Sequence, residues 1–157
     1  MPSASFATVA EYFRLGLQVG LLAPSQVVEW ADAEIAAAEE VPEELIEVAW
    51  AKGLASALDA LAAVPGERDR QLAGRWLLGL LGKAIPESGD GLQLAAQSAM
   101  HIARYAELGD DTYYRFDMID DELSLARTKV YGTVEECRSN LIAELAEYQP
   151  LEIKRDV

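Results

Sequence analysis

The sequence predicts an all-α protein, an irregular bundle of seven or eight short helices. Three observations carry this. Alanine and leucine dominate the 157 residues and β-branched residues are sparse, a composition that loses little side-chain freedom in a helix. Apolar residues recur three and four positions apart, the period of one helix face, and no strand-like alternation persists. The eleven glycines and six prolines fall mostly between the apolar segments, where they interrupt helices.

The first predicted helix runs from Phe6 to Val19, with Val9, Tyr12, Phe13 and Leu17 at helical spacing and Gly20 as its stop. The second is "APSQVVEWADAEIAAAE". Pro24 suits its first position, where a missing N–H costs nothing, and Ala23 stands where a polar cap is expected. Val27, Trp30, Ala31, Ile35 and Ala38 form its inward stripe. Pro42 starts a third helix with Leu45, Ile46 and Ala49 inward, and Gly53 ends or bends it before a fourth, Leu54 to Ala63. After the turn "VPGERD", a fifth spans Arg68 to Lys83. "IPESGDG" reads as a loop, followed by a sixth from Leu92 to Leu108. The seventh spans Thr112 to Val130 and is closed by Gly132. Thr133 and Glu136 match a capping box, which opens the eighth, reaching Tyr148.

The length fits one domain, 1–157, with 1–4 and 149–157 irregular. Such a chain buries roughly 70% of its unfolded surface, so neither disulfide nor metal is needed as a staple. The single cysteine, Cys137, excludes an internal disulfide framework and suits a reducing cytoplasm. No apolar run approaches the length of a membrane span, and the N-terminus lacks the basic and apolar regions of a secretory signal. Net charge is −14. That disfavours nucleic acid, whose phosphates need cations opposite them, and anionic membranes for the same reason. A basic protein is the natural complement.

The charge is segregated. From Leu15 through Ala51 there is no Lys or Arg, yet Glu29, Asp32, Glu34, Glu39, Glu40, Glu43, Glu44 and Glu47 fall there. The stretch Glu107 to Glu122 adds seven acids against Arg115 alone. In "DMIDDE", Asp117, Asp120 and Asp121 sit at i, i+3 and i+4, so their carboxylates converge on one helix side. Phe116, Ile119, Leu123 and Ala126 take the other. Convergent acids can hold Mg²⁺ beside a phosphate, as in helical phosphohydrolases. Such enzymes use facing motifs, though, and here only "EWAD" offers a partner. We therefore expect no metal site, no cofactor and no catalytic residue. The lone His101 lies between apolar neighbours, as a partly buried, satisfied histidine would. Glu135 and Glu136 beside Cys137 disfavour its thiolate. The three tryptophans are expected to anchor the core, with Trp30 or Trp50 at an interface as the alternative.

Two stretches, "GLLAPSQVVEWADAEI" and "MIDDELSLARTKVYGT", resemble small acidic helical bacterial proteins of the toxin-immunity type, across Phe13 to Tyr148. The resemblance implies a non-catalytic binding protein that occludes a toxin or another partner; a cytoplasmic monomer or homodimer with a basic protein partner is expected from the rest of the sequence. The expected recognition residues are Asp117, Asp120, Asp121, Glu29, Asp32, Glu43 and Glu44, with Tyr113 and Tyr114 as aromatic anchors. The alternatives are a Mg-dependent phosphohydrolase using the helical carboxylates and a secretion chaperone, which would be a dimer with a large apolar groove.

Overall fold

The structure, a computed structural model, describes residues 5–152. Among them it contains eight α-helices and no strand: α1 Phe6–Gln18, α2 Pro24–Ala37, α3 Glu43–Ala49, α4 Leu54–Ala62, α5 Arg70–Gly82, α6 Gly89–Tyr105, α7 Asp110–Arg127 and α8 Val134–Leu145. The all-α expectation holds. Of the ends expected to be irregular, 1–4 and 149–157, the residues 1–4 and 153–157 lie outside the described residues, and 149–152 fall in no helix. The chain forms two compact units, one through Ala73 and the other Gly74–Leu151.

In the first unit α1 is the hub. Ala7, Ala10, Tyr12, Phe13, Leu15, Gly16 and Leu17 are all buried, and so are Thr8 and Glu11. A helix buried nearly all round needs partners on several sides, and α4 supplies one. Ser5 caps α1, its hydroxyl accepting the Thr8 N–H at 3.2 Å. At the other end Gly20 takes the left-handed conformation (φ 79°). Its N–H bonds the Leu17 carbonyl and the Leu21 N–H bonds that of Gly16, the paired bonds of a Schellman stop. The α2 cap is half made: Ala23 offers no side chain, but the Gln26 Oε1 reaches back to accept its N–H at 2.8 Å. Val27, Trp30 and Ala31 are buried as expected, whereas Ile35 and Ala38 are half-buried near the helix end. Trp30 packs on Phe13 with ring centroids 5.0 Å apart.

Trp50 departs from expectation and is 78% exposed. Helix α3 stops at Ala49, and Trp50 falls outside the buried Leu45 and Val48 stripe.

The buried Glu11 organises the rest of the unit. Arg14, one turn on, donates to it through Nε at 2.9 Å and through a terminal nitrogen at 2.5 Å. Arg68 donates at 2.9 Å from the "VPGERD" turn, and Arg70 Nε stands 3.7 Å away. The other Arg68 nitrogen donates to the carbonyls of Leu61, Ala62 and Val64, where α4 leaves acceptors without helical partners. The turn is further tied to α1: the Asp69 N–H donates to the Thr8 hydroxyl and the Ser5 hydroxyl to the Glu67 carbonyl. Burial pushes the Glu11 carboxyl up, yet Arg14 and Arg68 outweigh it and hold the group below the ordinary carboxylate range.

In the second unit α6 and α7 form an antiparallel hairpin, with α8 packed on α7. Helix α6 begins at Gly89, inside the segment expected to be loop. Ser88 explains the difference: its hydroxyl accepts the Gly91 N–H at 3.0 Å, and Asp90 in the first turn suits the positive helix end. A good cap outweighs two glycines. Thr133 caps α8 as predicted, accepting the Glu136 N–H at 3.1 Å. Residue 79 on α5 must be glycine: a Cβ there would stand 2.4 Å from the Gln149 carbonyl carbon and the Pro150 nitrogen.

Helix α7 ends earlier than predicted, at Arg127, and Lys129 rather than Gly132 closes it. Lys129 sits at φ 59°; its N–H bonds the Ala126 carbonyl and the Val130 N–H bonds that of Leu125. This is again a Schellman stop, with a side chain where glycine is usual. Left-handed backbone costs a non-glycine residue about 1 kcal/mol. Lys129→Gly is therefore expected to stabilise the protein by up to about 1 kcal/mol, read as a higher urea midpoint at unchanged m-value. An unchanged or lower midpoint would contradict this.

Candidate functional site

The expected acidic trio converges as its spacing requires. One carboxylate oxygen each from Asp117, Asp120 and Asp121 lies within 4.8 Å of the others. Asp117 and Asp120 are half-buried and Asp121 is exposed. Burying Phe116, Ile119, Leu123 and Ala126 turns α7 so that this edge faces the α6 seam and solvent.

The seam is polar. The Gln93 amide of α6 donates to the Asp120 carbonyl at 3.1 Å and also to its carboxylate. The Gln93 oxygen accepts from Arg127 at 3.3 Å, and Arg127 pairs with Asp90. At the far end the Arg104 guanidinium lies 4.2 Å over the Tyr113 ring, and Arg115 reaches Glu144 of α8 at 4.0 Å. The arginines of α6 and α7 are thus engaged inside their own unit. Asp117 and Asp121 pair with no cation among the described residues.

Tyr113 and Tyr114 make an edge-to-face pair with centroids 5.6 Å apart. Tyr113 is half-buried under Arg104, so only Tyr114, 59% exposed, is open as an anchor. Beside them Ala103, Arg104, Glu107, Gly109, Asp110 and Tyr113 line an open hollow of about 300 Å³. The remaining candidates belong to the first unit. Glu29 and Asp32 are exposed one turn apart on α2; Glu43 is exposed and Glu44 half-buried in the first turn of α3. The structure brings the α7 acids together on the second unit, and Glu29, Asp32, Glu43 and Glu44 belong to the first.

His101 is exposed rather than partly buried, because α6 buries Ala99, Ile102 and Ala103 on the opposite side. Its ring stacks with Tyr105 at 6.2 Å. Cys137 is buried. Burial raises its pKa most, with Glu122 and Glu136 adding to the effect. Glu136 was one of the two acids anticipated; Glu122 arrives from α7. The thiol is held protonated and unreactive at neutral pH.

No family model, curated protein or solved structure matches the chain. No described helix is long and apolar enough to cross a membrane. The chemistry must be read from the side chains themselves.

Sequence reasoning passed over the exposed apolar residues of this unit. Met118 is 61% exposed and Leu125 41%, and both share a helix face with Tyr114. Their spacing of four and seven was readable: it places them away from the Phe116, Ile119 and Leu123 stripe.

Proposed function

We propose that this chain is a non-catalytic binding module that takes a basic protein partner, in the manner of a bacterial immunity protein holding a basic toxin. The observation that carries this reading is the pair of carboxylates, Asp117 and Asp121, that converge with Asp120 and pair with no cation among the described residues. Like charges so placed destabilise a helix by a few tenths of a kcal/mol per pair, and a partner's Lys or Arg would relieve them. The exposed acids on α2 and α3 extend the attraction. At long range such charge steers encounter and raises the association rate. The reduced cytoplasm is the expected setting, where the lone thiol of Cys137 stays unpaired.

The test is affinity capture from the native cell followed by association kinetics on the captured protein. Asp117→Asn, Asp120→Asn and Asp121→Asn together are expected to preserve the fold. It should slow association by about tenfold at low salt and flatten the salt dependence. An unchanged rate and salt slope would reduce these acids to a solvated face.

The same trio favours a second reading, a Mg²⁺ site serving phosphate hydrolysis. Calorimetry with Mg²⁺ decides between them. Micromolar binding lost in Asp121→Asn, together with turnover of a nucleotide, would replace the binding role with an enzymatic one.

A further inference from the structure

Ten large apolar side chains stand exposed among the described residues, and seven of them belong to α6, α7 and the turn after α7. Their arrangement is ordered. On α7, Tyr114, Met118 and Leu125 are separated by four and seven residues and so line one side of the helix. Asp121 stands among them, three residues beyond Met118. On α6, Leu94 and Tyr105 are 65% and 57% exposed, on the side opposite the buried Ala95, Ala99 and Ile102. The hairpin is antiparallel, since Asp90 meets Arg127 at one end and Arg104 meets Tyr113 at the other. The exposed apolar residues therefore lie on two neighbouring antiparallel helices, with Asp120 and Gln93 in the seam between them. The Schellman stop folds Val130 back so that its N–H reaches the Leu125 carbonyl at 2.9 Å. Val130, 70% exposed, follows at the end of α7.

Charge selects the occupant. A second copy docked about a two-fold axis would set the trio against itself, on a chain whose net charge is −14. An anionic surface meets the same repulsion. A row of apolar side chains edged by carboxylates that no described residue neutralises complements a helix with apolar residues on one side and Lys or Arg along its borders. From Tyr114 to Leu125 the row is about 16 Å long at 1.5 Å per residue, the length of three helical turns. Met118 at its centre is flexible and polarisable, suited to repacking against a partner's side chains.

We propose that the outer face of the α6–α7 hairpin is the docking surface for a basic amphipathic helix of the partner. The partner's apolar side chains seat on Tyr114, Met118 and Leu125, and its cations reach Asp117 and Asp121. This rests on the basic-partner reading above and adds where the partner lands and in what form.

The experiment uses the full chain and a synthetic Leu/Lys helical peptide of about 18 residues, long enough to hold a helix. A scrambled peptide of the same composition serves as control. Wild-type protein is expected to bind the amphipathic peptide at least about tenfold tighter than the scrambled one, with amide shift changes on α6 and α7. Met118→Ser with Leu125→Ser touches only exposed side chains, so folding should change little. This variant should lose that tenfold preference while keeping its salt dependence. Equal affinity for both peptides, an unaltered preference in the Ser variant, or shift changes centred on Glu29, Asp32, Glu43 and Glu44 would each overturn the proposal. So would a wild-type dimer that the Ser variant abolishes, which would make the face a self-contact. The two readings fail separately: the Asn triple variant tests whether acids attract the partner, and the Ser variant whether this face receives it.

Discussion

Glu11→Ala is expected to cost the first unit about 3–5 kcal/mol, the penalty for removing one member of a buried ion pair. The loss exceeds that of a typical polar substitution because three arginines converge on this carboxylate. Arg68 is only 18% exposed in its side chain and would keep its charge with no counter-ion at hydrogen-bond distance. Its grip on the carbonyls of Leu61, Ala62 and Val64 would loosen with it. Glu11→Gln keeps an acceptor and should cost less. Urea denaturation followed by circular dichroism measures both. A loss below about 1 kcal/mol for the alanine variant, the range of exposed pairs, would show that the cluster is solvated in solution.

The same group gives a pH dependence of definite sign. Its carboxyl is held below the ordinary value of 4.5, so the unfolded chain takes up the proton first. The stability it contributes is whole above about pH 4.5 and is lost as pH falls through the lowered folded value. Wild-type protein should therefore lose stability more steeply than Glu11→Gln on acidification in that window. Parallel curves would contradict the assignment.

Gly79→Ala is the second large effect expected, about 1–3 kcal/mol or more, the cost of forcing a methyl group into a filled space. The obstacle is main chain, at Gln149 and Pro150, which cannot rotate aside as a side chain would. The variant must either separate α5 from this segment or carry the strain. Faster proteolysis after residue 148 together with a lowered thermal midpoint would be the signature. An unchanged midpoint would mean that the 149–150 segment already leaves α5 in solution.

What was legible in the chain follows the range of the rule used. Gly20, Pro24 and Thr133 act on their own neighbours within one turn, and each helix end they mark is where local chemistry puts it. The α7 trio was legible for the same reason, because spacing on one helix fixes which carboxylates converge. The start of α6 was missed because two glycines weigh visibly against a helix while a single serine cap weighs quietly for it. Lys129 was missed because Gly132, three residues on, is the better left-handed candidate by type; the backbone turned before reaching it. Glu11 was the largest omission. An acid in an amphipathic helix is assigned to the wet side, and beyond Arg14, one turn on, the two other arginines that make its burial tolerable lie 57 and 59 residues away in the chain. The one sign of it was local: Ala7, Ala10, Tyr12 and Phe13 surround Glu11 and leave no wet side for it.

That separation has a consequence for synthesis on the ribosome. Arg14 emerges almost together with Glu11, but Arg68 follows 57 residues later. At about 5–20 residues per second the interval lasts several seconds. Through most of it α1 is an apolar helix with its acid only partly compensated and its packing partner α4 still incomplete. Only when the "VPGERD" turn arrives can Arg68 bind Glu11 and the end of α4 at once, so the turn acts as the latch that completes the first unit. Until then nascent chains expose the stripe of Tyr12, Phe13 and Leu17 to any chaperone that waits at the tunnel exit.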